Sequence, residues 1–279
     1  MKTLCGLLIP LLVFLTALPS WAAMEYVGAQ TGSFAGTTSA QTITFTSLTG
    51  GLAAAPAVGD IVVVTYCVGG FATADITLSI KNTGATDYTL IGSELFANDS
   101  NTTNMRVAYR VMPDPVETQL VLSETVSGGT GALTDSGIYS IFVLRGQHAT
   151  PLEQAAVQGT AINTRIVNPG DITPTTAGTY IYVAGCGAGS LGGTYTSSDL
   201  TDFRAITVAD STDANIGTGY LAWSSGTFSA ATFGDGGTDT ISDSNAWTIA
   251  AFAPAASAAA TGMTGCGAAM ILLGKGAGC

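Results

Sequence analysis

The sequence predicts an all-β fold: a two-sheet antiparallel β-sandwich, jelly-roll-like, built from an internal duplication. Short stretches of strand-like sequence alternate with turn signals such as Gly69-Gly70, Asn82-Thr83-Gly84 and Gly192-Gly193. A block of this sequence also recurs in the second half of the chain. Regularly spaced short strands with such turns are typical of sandwiches and jelly rolls.

Two kinds of strand are expected from the apolar periodicity. Residues 76–80 and 105–111 alternate apolar with polar side chains, which predicts strands with one face on a core and the other in water. Residues 61–64 and 138–144 are almost continuously apolar, which predicts strands buried on both faces. A short helical turn is predicted only at residues 151–156.

The duplication pairs residues in the same order along both halves, with an offset that falls from 186 − 67 = 119 to 247 − 139 = 108. The paired residues include Cys67 with Cys186, Tyr109 with Tyr220, and Tyr139 with Trp247. Small deletions in the second copy explain the falling offset. Each copy is either a small sandwich or one half of a single sandwich, and the missing Pro-rich or charged linker favours a single domain.

Four segments follow from these patterns. Residues 1–22 are predicted to be a signal peptide, because Lys2 precedes the apolar run Leu4–Leu18 and Ser20-Trp21-Ala22 resembles a cleavage site. The run is shorter than the roughly 20 residues that cross a bilayer, so no stable transmembrane helix is expected. The halves are 23–150 and 151–255, and 256–279 is a flexible Ala/Gly/Cys tail. The predicted location is secreted or cell-surface, periplasmic or extracellular.

The charge balance argues against a nucleic-acid partner. The chain has 8 basic and 19 acidic residues, a formal net charge of −11, and its basic residues are scattered. Binding to nucleic acid requires clustered Lys and Arg to displace counterions. The 47% of hydrophobic residues is ample for a folded core.

Export places the cysteines in an oxidising compartment, where disulfides form. Cys67, Cys186, Cys266 and Cys279 remain after signal removal, and they allow three pairings. Because Cys67 and Cys186 occupy equivalent positions in the two copies, they are the disulfide candidate. The alternative is that both are small buried hydrophobic residues.

Three segments carry a resemblance to known proteins. These are Gly59–Val64, Val143–Gly146 and Trp247–Pro254. They resemble a loose group of uncharacterised jelly-roll or β-sandwich proteins found among tailed-phage structural proteins and bacterial surface proteins. The resemblance implies a structural role on a cell or a particle.

Catalytic chemistry is not predicted. The sequence contains one histidine, His148, expected in a solvated loop, and the Ser190 segment lacks the first glycine of a nucleophile elbow. No catalytic residue is assigned and no cofactor is expected, apart from calcium. The candidate calcium ligands lie in turns rich in oxygen ligands, where plain turn chemistry is the alternative reading; they are Asp99, Asp210, Asp213, Asp235 and Asp239.

The predicted function is a non-enzymatic extracellular structural or adhesive protein. Alternatives are a carbohydrate-binding module or a phage virion-associated structural protein, with a secreted hydrolase less favoured. Expected partners are cell-surface or particle proteins, or glycans, and self-association is a further expectation. Trp223 and Trp247 are predicted core residues, whereas Tyr88, Tyr195 and Phe203 are the loop aromatics that a sugar site would use.

Overall fold

A computed structural model describes residues 23–34, 40–70, 76–98, 102–126, 136–162, 168–188, 194–208, 214–235 and 244–256. The described residues up to Ala255 belong to one compact unit. The predicted signal peptide, and the predicted tail beyond Ala256, lie outside the described residues. All regular secondary structure within the described ranges is β-strand, which confirms the all-β prediction.

The first half contains nine strands. They are β1 Glu25–Phe34, β2 Gln41–Thr44, β3 Ile61–Gly70, β4 Ile76–Asn82, β5 Thr89–Leu90, β6 Leu95–Asn98, β7 Thr102–Val111, β8 Gln119–Val126 and β9 Ser136–Arg145. The second half contains ten. They are β10 Gln147–Leu152, β11 Val157–Ile162, β12 Asp171–Ile172, β13 Tyr180–Ala188, β14 Tyr195–Thr196, β15 Thr201–Val208, β16 Ala214–Ala222, β17 Phe228–Ser229, β18 Gly234–Asp235 and β19 Ser244–Pro254.

Each half forms one large antiparallel sheet. The order is β1-β9-β3-β7-β5 in the first, with β6 also on β7, and β10-β19-β13-β16-β15 in the second, with β11 also on β19. The two large sheets pack face to face around a central core to which both halves contribute. The predicted antiparallel sandwich is therefore confirmed.

Smaller sheets cover the outer faces of the large ones. The sheet β2-β8-β4 encloses a first outer core, and the strand pairs β12-β17 and β14-β18 enclose a second. In the first half the chain alternates between its large and small sheets, as in a jelly roll. We call the two halves the first and second roll. Each half thus has an outer core of its own, and the two halves also share the central core.

The extra layers explain the pattern of burial in the central strands. In β3, Ile61 and Val63 face the central core, whereas Val62 and Val64 face the first outer core. The prediction that residues 61–64 are buried on both faces is confirmed, and β9 behaves in the same way. The prediction that β7 has a water-facing side is wrong: Arg106 and Arg110 are only partly exposed and pair with glutamates, since the small sheet covers that side.

Equivalent strands pair in the same register within each of the two large sheets. Cys67 lies opposite Met105 and Ile138, and Cys186 lies opposite Ile216 and Ala246. The offsets 216 − 105 = 111 and 246 − 138 = 108 are those of the sequence repeat. Equivalent strands therefore pair in equivalent ways, while common ancestry of the halves remains a prediction.

A glycine opposite an aromatic residue recurs at equivalent sites. Gly32 of β1 lies opposite Tyr139, and Gly159 of β11 lies opposite Trp247. In both places the aromatic ring occupies the space that a Cβ atom on the glycine would need. A side chain on either glycine would displace its ring, so the glycine is what allows the ring to lie across the edge strand.

The helical turn predicted at residues 151–156 is wrong. Pro151 and Leu152 end β10, and Val157 already begins β11. The segment is too short to form a stable helix by itself, and its first residues continue the pairing with β19, since the Glu153 amide donates to the Ala251 carbonyl at 3.0 Å. No helix among the described residues is long and apolar enough to cross a membrane.

The chain enters and leaves the sandwich at one end, the terminal pole. The backbone of Ala23 lies beside Gly146, and the amide of Ala255 donates to the Gly146 carbonyl at 2.6 Å. Strand ends at the opposite end, the loop pole, lead into segments outside the described ranges; they include Gly70, Thr102, Ser136, Ala188, Ala214 and Ser244.

Candidate functional site

A disulfide joins the two rolls at the centre of the sandwich. Cys67 of β3 and Cys186 of β13 are bonded, with their Cα atoms 5.9 Å apart, and both side chains are fully buried in the central core. The disulfide predicted from the duplication is therefore present, and the alternative of two free buried cysteines is wrong. The spacing suits a disulfide because the two central strands cross face to face.

Hydroxyl groups form a polar seam around the disulfide. Thr65 bonds to the Tyr182 hydroxyl at 2.7 Å, and Ser140 bonds to Thr218 at 2.7 Å. Near the loop pole, the Thr103 hydroxyl donates to the Ser244 carbonyl at 2.7 Å. Each bond joins the first roll to the second. Because these groups are buried, their mutual bonding avoids the cost of unpaired polar atoms and fixes the register between the sheets.

The edges of the central core are closed by side chains. On one edge, Gln158 accepts from the Ser93 amide at 2.7 Å and donates to the Ile91 carbonyl at 3.1 Å. On the other edge, the Tyr26 hydroxyl donates to Asp202, and burial followed by this hydrogen bond raises the pKa of Tyr26. These bonds link strands or loops of opposite rolls, so polar contacts surround the shared apolar core.

A charged cluster in the first roll hydrogen-bonds to the outer edge of β4 at Leu78. Glu94 accepts from the Leu78 amide at 2.5 Å, and Arg106 donates to the Leu78 carbonyl at 2.5 Å. Arg106 also pairs with Glu94 at 3.5 Å. Together the two side chains hydrogen-bond to the backbone of Leu78 on the side of β4 that faces away from β8. This cluster has a structural explanation, because an unpaired sheet edge is an aggregation hazard.

Two buried tyrosines lie near carboxylates of the same roll. Tyr66 donates to Glu124, and burial followed by the charge of Glu124 raises the pKa of Tyr66. Burial followed by the charge of Glu117 likewise raises the pKa of Tyr88. Both tyrosines therefore stay neutral at physiological pH, and each serves as a packed side chain of the first outer core.

A shallow cleft of about 210 Å³ lies at the terminal pole. Its charged groups are Asp60 and Arg145, which form a bidentate pair at 2.8 and 2.9 Å. Asp60 also accepts from the Ala57 amide at 2.7 Å. The hydrogen bond to Asp60 is the main cause that raises the pKa of Arg145. The pair ties the end of β9 to the loop before β3, and its carboxylate is fully engaged.

The equivalent loop before β13 is held by Glu153. Its carboxylate accepts from the amides of Thr175 and Thr176, each at 2.7 Å, and from the Thr179 hydroxyl at 2.9 Å. Burial raises the pKa of this carboxyl group, but the hydrogen bonds outweigh burial and the net pKa is lowered. The charged form is thus the one that organises the loop.

The predicted aromatic candidates lie in the cores. Tyr88 and Tyr195 are 2% and 1% exposed, and the expectation that they lie on loops open to a sugar is wrong. Phe203 is half-buried and makes an edge contact with Phe233 at 6.1 Å between ring centroids. Trp223 is buried and Trp247 packs against the second outer core, as the sequence predicts. Every aromatic side chain in the described ranges is buried or half-buried.

Glycines make room for the second roll's aromatic residues. Gly185 lies against Phe233 and Tyr195, each about 2.7 Å from the place of a Cβ atom, and Gly217 lies against the Tyr195 side chain. At the positions equivalent to Gly185 and Gly217, the first roll has Tyr66 and Arg106. The two outer cores therefore fill the same space in different ways.

An apolar loop faces solvent beside the terminal pole. Residues 50–59 carry no polar side chain, and Leu52 and Val58 are 60% and 57% exposed. The loop is nevertheless ordered by backbone bonds from Leu52 to Tyr26 and from Ala53 to Val27. The equivalent residues 169–178 of the second roll include four polar side chains, those of Asp171, Thr173, Thr175 and Thr176.

Most of the calcium candidates lie outside the described residues: Asp99, Asp210, Asp213 and Asp239. Asp235 ends the two-residue strand β18. Within the described ranges no group of three or more His, Cys, Asp or Glu is arranged to hold a metal ion. His148 lies on β10 and not in the predicted loop, with its Nδ1 atom 2.8 Å from the Thr150 hydroxyl.

No protein-family model matches the chain, and no curated protein is significantly similar to it.

Proposed function

We propose that the chain is a non-enzymatic extracellular protein with a structural or adhesive role on a cell or a particle. The observation that carries this proposal is the buried Cys67–Cys186 disulfide, which joins two rolls into one body. Disulfides of this kind form and persist in oxidising compartments. The predicted signal peptide agrees with that location.

The way the polar groups are used supports a structural role. Asp60 with Arg145, and Glu94 with Arg106, hold backbone segments in place. The aromatic candidates for a sugar site fill cores, which makes the carbohydrate-binding alternative weaker than the structural one. The phage virion-associated alternative is equally compatible with the fold. The genes that flank this one would distinguish the two roles, because a virion protein is expected beside other virion genes.

Export is the first expected result. Expressed with residues 1–22 in a bacterium, the protein should leave the cytoplasm and begin at Ala23 or Met24, because the leader has the charge, apolar run and small residues of a secretory signal. Cell fractionation and N-terminal sequencing measure this. A cytoplasmic, soluble product that retains Met1 and has free Cys67 and Cys186 would contradict the extracellular proposal.

The apolar loop is the surface expected to contact a protein of the cell or particle. Replacing both Leu52 and Val58 by Asp should lower recovery with the cell or particle fraction by about tenfold or more, because burying each apolar side chain contributes about 1.5–3 kcal/mol. Quantitative immunoblotting of washed fractions measures this. The melting temperature should change little, since both side chains are exposed.

A matched control places the same two charges on the equivalent loop of the second roll, as Thr173→Asp with Ala177→Asp. This variant should be recovered like wild type. Equal recovery of all three proteins would show that the apolar loop is not the contact surface.

A further inference from the structure

We propose that the Cys67–Cys186 disulfide is a mechanical clasp, which keeps the two rolls together under force and shields the chain between the cysteines from extension. This gives the structural role proposed above a physical property, although the clasp can be tested without knowing the partner.

The rolls have one backbone connection. Strand β9 of the first roll runs into β10 of the second through Gly146, whose φ is +84°. A left-handed glycine at a junction allows the flanking segments to change direction at little steric cost. The connection lies at the terminal pole, so the rolls could swing apart about it if only noncovalent contacts held the rest of the interface.

The disulfide lies away from that connection. Ile61 begins β3 at the terminal pole, and Cys67 lies six residues further along, a distance of about 20 Å at the usual rise of a strand. A second covalent link at that distance prevents rotation about the first. The hydroxyl bonds of the seam, such as Thr65 with Tyr182, lack this property because each exchanges with water when the interface opens.

The position of the cysteines also divides the chain under tension. Both ends of the body lie beside Gly146, so a pull on them starts from a short separation. Of the 233 residue spacings between Ala23 and Ala256, the disulfide bypasses 119 and leaves 114. At about 3.4 Å per residue, complete extension adds about 390 Å with the disulfide intact and about 800 Å without it.

The test is single-molecule pulling on residues 23–256 with handles at both ends. Oxidised protein should lengthen by about 390 Å in total. At constant force in dithiothreitol, a further step of about 400 Å should follow once unfolding has exposed the disulfide. The variant Cys67→Ala with Cys186→Ala should reach about 800 Å without reductant.

The step in dithiothreitol uses wild-type protein, so the test holds even where the double variant does not fold. Oxidised protein that lengthens by about 800 Å without reductant would overturn the clasp. That result would leave the export and surface-binding experiments unaffected, whereas a cytoplasmic product with an intact clasp in vitro would overturn only the proposed location.

Discussion

Reduction of the Cys67–Cys186 disulfide should lower the free energy of unfolding by about 4–5 kcal/mol, because the disulfide closes a loop of 119 residues in the unfolded chain. Since domains are stable by only about 5–15 kcal/mol, that loss is a large share of the total. For a chain of this size the melting temperature should fall by about 10–20 °C. Paired thermal melts of oxidised and reduced protein measure the difference.

The comparison is sharpest when the side chains stay the same. Protein reduced in denaturant and refolded with reductant present keeps both sulfur atoms and lacks only the bond. The control is Cys67→Ala with Cys186→Ala, which has no disulfide to reduce and should therefore melt at the same temperature with and without reductant. Oxidised and reduced wild-type protein melting within about 2 °C of each other would contradict the expected stabilisation.

The same burial should protect the disulfide in the native state. Both sulfur atoms lie inside the central core, so a reductant reaches them only when the rolls separate. This protection follows from the position of the bond between two sheets, where neither cysteine lies near the surface. The hydrogen bond between Thr65 and Tyr182 also resists separation of the rolls, so the polar seam contributes to the same protection.

The sequence predicted the sandwich because its long strands carry a clear signal. Period-two alternation marks β4, and continuous apolar residues mark β3, which is buried on both faces. The repeat also identified the disulfide, since equivalent residues near a pseudo-twofold axis lie close together. These predictions rest on strands long enough to show a pattern of apolar residues, or on matches between the halves.

The sequence did not predict the small outer sheets, and the reason is physical. Strands such as β12, β14 and β17 have two residues each, too few to show any periodicity. Because these layers were not predicted, the alternating pattern of β7 placed Arg106 in water, although the small sheet covers it. The pair of Asp60 and Arg145 joins residues 85 apart in the sequence, and nothing local marks either as a partner.

The choice between a structural and a sugar-binding role rests on Trp247. Its ring lies across Gly159 and packs against the second outer core. Replacing it by Ala should lower the free energy of unfolding by about 3–5 kcal/mol, because truncating a large packed aromatic leaves a cavity. Thermal melts of wild type and variant measure this, together with a glycan array on the wild-type protein.

The matched variant is Tyr139→Ala, which removes the equivalent ring from Gly32 in the first roll. If both aromatics are core residues at equivalent sites, the two variants should lose similar stability, and the wild-type array should be blank. A ligand-binding tryptophan behaves differently: Trp247→Ala would keep its melting temperature and lose glycan binding, while Tyr139→Ala would still be destabilised. That combination would replace the structural proposal with the carbohydrate-binding one, because a side chain whose removal costs no stability is free to serve a ligand.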